Sequence, residues 1–299
     1  MKKSVSLLLA GLMLCGALAG CGGNNNTAEN TDSQTEQTSE STGMSGAIHV
    51  VSREDGSGTR GAFVELTGVE DENGDNTTVE AEIANRTDAV LTTVAGNEAA
   101  IGYVSLGSLN DTVKAVTVDG VEATVDNVKS GTYTLSRPFN IATKGEPTGV
   151  AKDFINFILS ADGQAIVEEE NYIKVDDAAP AFTSDGSSGQ IAVGGSSSVS
   201  PVMEKLIEAY QTVNPNAKIE LQTSDSTSGM TGAMDGTFAI GMASRELKDE
   251  EAAQLTGTAI ALDGIAVIVN TANTVENLTM DQIRSIYVGE TTDWADVAA

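Results

Sequence analysis

The sequence predicts an α/β fold with mainly parallel strand pairing, and three observations lead to that prediction. The chain has 299 residues, which suffices for two compact units or for one large unit with an extension. Hydrophobic residues make up 40% and charged residues 20%, a balance typical of a globular body. From residue 46 onwards, short β-branched runs alternate with segments of helical periodicity, as in folds built from strand-helix-strand units.

The elements of this pattern follow from period and composition. The predicted strands are Ala47–Ser52, Ala100–Ser105, Asn140–Thr143, Ile191–Gly194, Lys218–Gln222, Ala239–Met242 and Ile265–Asn270. The predicted helices are Thr59–Leu66, Thr87–Val94, Gly149–Leu159, Ala161–Glu169, Pro201–Val213, Lys248–Leu255 and Met280–Tyr287. The Ser/Gly-rich stretch Ala178–Gln190 reads as an internal linker between two halves of the body.

The first residues predict export and anchoring. Met1–Gly20 begins with two lysines and continues as a short apolar run, which is typical of a secretory signal peptide. The signal ends in Leu-Ala-Gly-Cys21, which resembles the bacterial lipoprotein box, so Cys21 is the predicted lipidation site; an ordinary signal with an incidental cysteine is the alternative. Residues 21–45 are polar and predict a disordered tether, which places the protein on the extracytoplasmic face of the cell membrane.

Charge and composition exclude several classes of function. Lys and Arg total 16 against 43 Asp and Glu, a net charge of −27, which disfavours nucleic acid as a partner. The only histidine is His49, and the two cysteines both lie in the first 21 residues, so neither a metal nor a cofactor is predicted. The residue types that remain available for function are Ser, Thr, Gly, Asp and Arg.

Small polar residues gather where predicted strands give way to helices. Such loops follow the strands that end at Ser52, Gly194 and Gln222, and each loop runs towards a helical segment. Because a helix N-terminus presents unpaired N–H groups, three loops of this kind could enclose one oxyanion. The alternative for any single loop is an ordinary helix cap.

The chain lacks the motifs of nucleotide binding, of serine hydrolases and of calcium loops. The Arg53–Arg60 loop does not have the spacing or the lysine of a nucleotide P-loop, and the chain has no GxSxG elbow. His49 reads as a half-buried structural histidine within a strand, and Asp71–Asp75 reads as a solvated turn because its order differs from that of a calcium loop. No catalytic residue is predicted.

The loops and their neighbours resemble the phosphate-binding proteins of bacterial phosphate ABC importers, which have a two-lobed type II periplasmic-binding-protein fold. The motifs that carry the resemblance are Ser52–Phe63, Ala99–Gly107, Ser136–Gly145, Phe154–Val167, Gly194–Pro201, Ile240–Leu247, Leu262–Asn270 and Leu278–Trp294. The family has the segment like 194–294 first, so this chain resembles a circular permutant; a fragment of a longer tandem protein is the other explanation.

Permutation implies an unusual division of the chain. Residues 46–137 and 265–299 would form a split lobe, and residues 138–264, with the 178–190 linker, a continuous lobe. The predicted strand at Ile48–Ser52 would then share a lobe with the helix at Met280–Tyr287.

The resemblance also implies a set of phosphate contacts. They are Arg53, Ser57, Gly58 and Thr59 from the split lobe, and Ser197, Ser198, Thr227 and Ser244 from the continuous lobe. Asp55 is expected to hold Arg53 in place. In much of the family a carboxylate follows at Ser244 to accept the phosphate proton, whereas this chain has Arg245 there, so Asp55 or Asp225 would have to substitute.

The expected function is therefore a monomeric solute-binding lipoprotein. It would capture inorganic phosphate between its lobes and deliver it to the permease and ATPase of an ABC importer. One alternative is a lipoprotein that binds or senses another oxyanion, such as sulfate, without transport. A secreted hydrolase is the other alternative.

Overall fold

The computed structural model describes residues 44–297. The signal peptide (1–20), Cys21 and nearly all of the tether lie outside the described residues. Within residues 44–297, no helix has the length and apolar character that crossing a membrane requires.

The bounds of the elements agree with most of the predicted ones to within a few residues. The strands are β1 His49–Arg53, β2 Glu70–Asp71, β3 Gly74–Asp75, β4 Glu82–Ala84, β5 Ala100–Ser105, β6 Val113–Ala115, β7 Thr117–Val118, β8 Ser136–Thr143, β9 Gly189–Ser196, β10 Ala217–Ser224, β11 Ile240–Ala243, β12 Thr256–Asn270 and β13 Asn277–Leu278. The helices are α1 Gly58–Thr67, α2 Thr87–Gly96, α3 Val125–Lys129, α4 Gly149–Ile158, α5 Ala161–Glu169, α6 Ser200–Val213, α7 Ser226–Asp235, α8 Asp249–Ala252 and α9 Met280–Tyr287.

One mixed sheet runs through the body in the order β10-β9-β11-β8-β12-β5-β1-β4. The outer strands pair in parallel, β10 with β9 with β11, and β5 with β1 with β4. The central strands β8 and β12 are antiparallel to each other and to their neighbours. The expectation of mainly parallel pairing was therefore wrong at the centre of the sheet.

β12 is the strand that both halves of the sheet share. Its first part, residues 256–264, pairs with β8, and residues 265–269 pair with β5. The two parts of β12 also belong to different hydrophobic cores, since Ala261 packs with Phe139 in one core and Ile265 packs with Leu135 in another. The body thus has two lobes, each with its own core.

The two ends of the described chain lie side by side. The N–H of Ile48 donates to the carbonyl of Thr292, and the N–H of Gly46 to the Asp293 carboxylate. The Tyr287 hydroxyl at the end of α9 donates to the carbonyl of Val51 in β1. The strand at 48–52 and the helix at 280–287 pack in the same core, as the prediction that they share a lobe requires, although more than 200 positions separate them.

The 178–190 segment is anchored along its length, and its last two residues begin β9. Buried Asp153 of α4 accepts hydrogen bonds from the Ser184 hydroxyl, the Asp185 N–H, the Tyr210 hydroxyl and the Asn214 amide. These five residues are called the Asp153 cluster below. They tie the segment to α4 and α6, so it is a packed part of its lobe.

Helix α7 is the longest element that the sequence did not predict. Its sequence, STSGMTGAMD, is rich in Ser, Thr and Gly, which are poor helix formers. Gly229 is required there because its Cα lies against the backbone of Gly195, and a Cβ would meet the Gly195 Cα at 2.7 Å. Close packing on β9 and β11 therefore selects the helix against its intrinsic propensity.

Candidate functional site

Arg53 ends β1 and is almost completely buried, at 2% exposure. Its backbone N–H donates to the Tyr103 hydroxyl, which also lies 2.9 Å from Ser52 Oγ. Burial raises the pKa of Tyr103 above its ordinary value, so the phenol keeps its proton. The neighbouring strand β5 thus fixes the point at which Arg53 leaves the sheet.

A glycine turn leads from Arg53 into α1. Gly56 has a φ of +86°, which favours glycine, and Ser57 caps α1 by accepting a hydrogen bond from the Arg60 N–H. At Gly58 a Cβ would overlap Ser226 Oγ and would meet Ser244 Oγ at 2.8 Å. The first turn of α1 therefore lies directly against the other lobe.

Two serines after β9 face this turn. The Thr59 hydroxyl lies 2.8 Å from Ser198 Oγ, and Arg53 Nη2 donates to Ser197 Oγ at 3.1 Å. Thr87, the first residue of α2, lies 3.3 Å from both serine hydroxyls and accepts from Arg53 Nη1 at 3.4 Å. Arg53, Thr59, Thr87, Ser197 and Ser198 are called the cleft cluster below; all five are buried and they span the two lobes.

A second group of hydroxyls lies beneath Gly58. Ser196 Oγ donates to Ser244 Oγ at 3.0 Å, and the Ser244 N–H donates to Ser226 Oγ at 3.1 Å. Ser226 and Ser244 are both 0% exposed. The three serines come from the end of β9, the residue after β11 and the start of α7, and they continue the cleft cluster towards α7.

Glu54, and not Asp55, holds Arg53. The Glu54 carboxylate accepts from Arg53 Nε at 2.7 Å and from Nη2 at 2.8 Å. The Asp55 side chain is 99% exposed and pairs with Arg60. The expectation that Asp55 positions Arg53 was wrong, because the turn at Gly56 directs Asp55 to the outside and leaves Glu54 beside the guanidinium.

Thr227 lies beside the cleft cluster and contacts different groups. Its N–H and hydroxyl both donate to the carbonyl of Gly56, and its hydroxyl oxygen accepts from Arg245. Arg245 forms a two-bond ion pair with Glu251 at 2.7 and 2.8 Å. Burial alone would raise the pKa of Glu251, but hydrogen bonds from Arg245 and the Lys248 N–H outweigh it and hold the pKa below its ordinary value.

The proposed substitutes for the proton-accepting carboxylate do not reach the cleft cluster. Asp55 is exposed, and Asp225 caps α7 by accepting from the N–H and hydroxyl of Ser228. Glu54 is the carboxylate bonded within this region, and both of its oxygens accept from Arg53.

The arrangement is suited to binding an oxyanion. Helices α1, α2, α6 and α7 begin at Gly58, Thr87, Ser200 and Ser226, so their N-termini and their partial positive charges meet around the two hydroxyl groups. His49 lies four residues before Arg53 on β1, about 13 Å away along a strand, and bonds to Glu82, so it does not reach the cleft cluster.

Sequence reasoning missed Thr87 and Ser196, and in the loop after β10 it chose Thr227, next to Ser226, as the contact. Thr87 has the same signature as the recognised loops, a hydroxyl residue at the start of a predicted helix. The preceding strand β4 has only three residues and was not predicted, so the motif went unrecognised. Ser226 lay in the recognised loop, but the helix that it begins was not predicted, and the alignment could not separate it from its neighbours Thr227 and Ser228.

Comparisons with known proteins agree with this fold. A family model described as a PBP superfamily domain matches residues 19–162 and 180–299. The phosphate-binding protein PstS 2 of Streptococcus agalactiae serotype V is 48% identical over 304 residues, covering 99% of this chain and 98% of that protein. PstS 2 of Streptococcus pneumoniae serotype 4 is 44% identical over 98% of both chains.

A solved structure resembles the whole fold, and other sequence matches cover only part of the chain. A phosphate-binding protein of a phosphate ABC transporter from S. pneumoniae TIGR4 superposes with a TM-score of 0.69 at 46% identity, over 84% of this chain and all of that one. The phosphate-binding protein PstS of Bacillus subtilis matches over only 134 residues, 44% of this chain, at 37% identity. The segment order is thus shared with the streptococcal proteins along their whole length.

Proposed function

The chain belongs to the phosphate-binding proteins of the periplasmic-binding-protein superfamily, and from this premise and the cleft geometry we propose that it captures inorganic phosphate between its lobes for an ABC importer. The relatives that are similar along their full length are named for phosphate binding, and one solved relative is the binding protein of a phosphate ABC transporter.

The cleft cluster is the single observation that carries the proposal. Arg53, Thr59 and Thr87 come from one lobe, Ser197 and Ser198 from the other, and hydrogen bonds of 2.8 to 3.4 Å join them. A tetrahedral oxyanion needs several donors from different directions, which neither lobe supplies alone. Hydrogen bonds to a charged acceptor are stronger than those between neutral hydroxyls, so an anion competes favourably for these donors.

Local donors outweigh the acidity of the whole chain. Mobile salt screens charges over about 8 Å at physiological ionic strength, so most of the net charge of −27 acts weakly on a bound ion. The Arg53 guanidinium, the buried hydroxyls and the helix N-termini touch the ion directly. The acidic surface then lowers the rate of capture more than it lowers affinity.

Capture by both lobes implies that they close on the ligand. The chain passes between the lobes in two paired segments, around Arg137 in β8 and around Asp263 in β12, where one hydrophobic core ends and the other begins. Arg137 Nη2 donates to the buried Asp263 carboxylate at 3.0 Å, so this ion pair joins the two crossover strands. A few crossover residues suffice to absorb the change in backbone angles of a hinge.

Titration calorimetry of the purified full chain with phosphate and with sulfate tests the proposal. We expect phosphate to bind with one site per chain and sulfate at least tenfold more weakly. Small-angle scattering with saturating phosphate should show a smaller radius of gyration than without it. Absence of phosphate binding would reject the function, and binding without compaction would reject closure of the lobes.

Sulfate is the second candidate ligand, and one observation favours it. Arg245, paired with Glu251, stands where much of the family has a proton-accepting carboxylate, and neither Asp55 nor Asp225 faces the cleft cluster. Sulfate carries no proton at neutral pH and needs no such acceptor. Equal or tighter binding of sulfate in the same titration selects this candidate.

The remaining features of the proposal follow from the sequence. A lipid on Cys21 would hold the chain at the extracytoplasmic face of the membrane, and the tether would let the monomeric body reach a permease and its ATPase. Metabolic labelling with a fatty-acid analogue tests the anchor, because Cys21→Ala should lose the label.

A further inference from the structure

Thr87 contacts more of the cleft cluster than its small side chain suggests. Its hydroxyl lies within 3.4 Å of one polar atom each of Arg53, Ser197 and Ser198, and the residue is 6% exposed. It belongs to the lobe of Arg53, whereas both serines belong to the other lobe. It therefore lies where the two lobes meet.

The direction of the hydrogen bonds leaves the Thr87 proton facing the cleft. A guanidinium only donates, so Thr87 Oγ1 must accept from Arg53 Nη1. Its own proton is then free to point towards Ser197 and Ser198, at 3.3 Å from each. Arg53 thus orients Thr87 as a donor.

The lengths of these contacts show that the hydroxyl is weakly held. Hydroxyl pairs in proteins are usually about 2.7–2.8 Å apart, as are Thr59 and Ser198 at 2.8 Å, whereas Thr87 lies 3.3 Å from its serine neighbours. An oxyanion oxygen offers a stronger, charge-assisted bond of shorter length. Little is lost when Thr87 exchanges its serine contacts for such a bond.

Thr87 also lies where the cleft cluster meets open space. A cavity of about 370 Å³ between the lobes is lined by Thr87 and its neighbours Arg86 and Asp88 on one side and by Ser197 on the other. A ligand that enters the cleft from this cavity meets Thr87 and Ser197 first. The Thr87 hydroxyl is therefore accessible to an arriving anion although the residue is nearly buried.

We propose that Thr87 is a direct ligand of the captured phosphate, donating its hydroxyl proton to a phosphate oxygen in an orientation that Arg53 sets. This inference rests on the proposed function. It adds to the site a residue outside the glycine and serine loops from which phosphate binding was inferred.

Three variants of the full chain test the role of Thr87 by calorimetry with inorganic phosphate. Thr87→Val keeps the shape and removes the hydroxyl, and we expect the Kd to rise about tenfold. Thr87→Ser keeps the hydroxyl, and its Kd should stay within about threefold of the wild-type value. Thr92→Val is the matched control on the exposed face of α2, where Thr92 bonds the Asp88 carbonyl, and should bind phosphate normally.

Melting without phosphate separates ligation from a structural role. Glu54 holds Arg53 through two bonds that Thr87 does not touch, so Thr87→Val should melt like the wild type in the absence of anion and gain less from added phosphate. Normal phosphate affinity in Thr87→Val overturns the inference. So does an equal loss in Thr87→Ser, which would assign the effect to the methyl group.

The wild-type titration distinguishes this inference from the proposed function. If the wild type binds sulfate and not phosphate, the proposed function fails, and the same variants titrated with sulfate decide the role of Thr87. If the wild type binds neither anion, both are overturned.

Discussion

The cleft cluster and the Asp153 cluster are both polar groups around a buried charged side chain, but their hydrogen bonds are arranged differently. In the Asp153 cluster four bonds converge on one carboxylate, which accepts from Ser184, the Asp185 N–H, Tyr210 and Asn214, and the Asn214 amide also donates to the Tyr210 hydroxyl. In the cleft cluster hydroxyls bond mainly to other hydroxyls, and Arg53 donates to both lobes' residues.

This difference separates a structural site from a binding site. A carboxylate surrounded by donors is fully occupied, so the Asp153 cluster has nothing to offer a ligand. Each hydroxyl of the cleft cluster can give up a weak neutral bond and donate to an anion instead. Burial of a charged group therefore does not mark a ligand site unless the surrounding donors are free to exchange partners.

The largest expected effect is on stability, from Asp153→Ala. The substitution leaves the buried donors of Tyr210 and Asn214 without the carboxylate, at about 1–3 kcal/mol each before relaxation, and we expect the free energy of unfolding to fall by about 3 kcal/mol. Urea denaturation measures it, with the exposed Asp162→Ala as control, since Asp162 makes one long bond to the same segment. Phosphate affinity should stay within twofold, and a large loss of affinity would mean that the two clusters are coupled.

Arg53→Ala is expected to lose phosphate affinity, where Asp153→Ala loses stability. Because its guanidinium bonds both lobes in the cleft, its loss should weaken phosphate binding at least tenfold, or about 1.4 kcal/mol. The control is Arg86→Ala, an arginine at the edge of the cavity whose side chain is 56% exposed and pairs with Asp88. Unchanged phosphate affinity in a folded Arg53→Ala protein would remove the cleft cluster from the site.

The pH dependence of stability gives a second test of the Asp153 cluster. Burial alone would raise the pKa of Asp153, but hydrogen bonds from Ser184, Asp185, Tyr210 and Asn214 hold it below the ordinary value of 3.8. The native state therefore binds this proton less readily than the unfolded state. The stabilisation is complete above pH 3.8 and is lost as the pH falls through the native pKa.

Comparison with Asp153→Asn isolates this effect. We expect the wild type to be more stable than the variant at neutral pH and the difference to shrink below about pH 4, as measured by urea denaturation at a series of pH values. A difference that stays constant down to pH 2 would show that Asp153 does not titrate with folding.

The smallest expected effect distinguishes two neighbouring residues at the start of α7. Ser226→Ala should weaken phosphate binding about threefold, because its hydroxyl positions Ser244 under Gly58. Thr227→Val should change the affinity less than twofold, since Thr227 contacts Gly56 and Arg245 beside the cleft. The reverse order in a side-by-side calorimetric titration would place Thr227, and not Ser226, at the anion.

Sequence alone determined most of the longer elements and the kind of site. Periodicity over ten residues and the glycine and serine signals at helix starts identified α2, α5 and α9 and the loop after β1, because these signals act within one or two turns of the chain. The same signals indicated anion binding, since helix N-termini have that property wherever they occur.

Tertiary structure decided which groups meet. The choice of Glu54 over Asp55 depends on a turn at Gly56, and the place of Thr87 depends on Ser197 lying 110 positions away. Ser184 in the supposed linker is fixed by Asp153, and α7 forms because it packs on β9 and β11. Such contacts join segments far apart in the chain, so no local pattern encodes them, and packing in the folded body selects each partner.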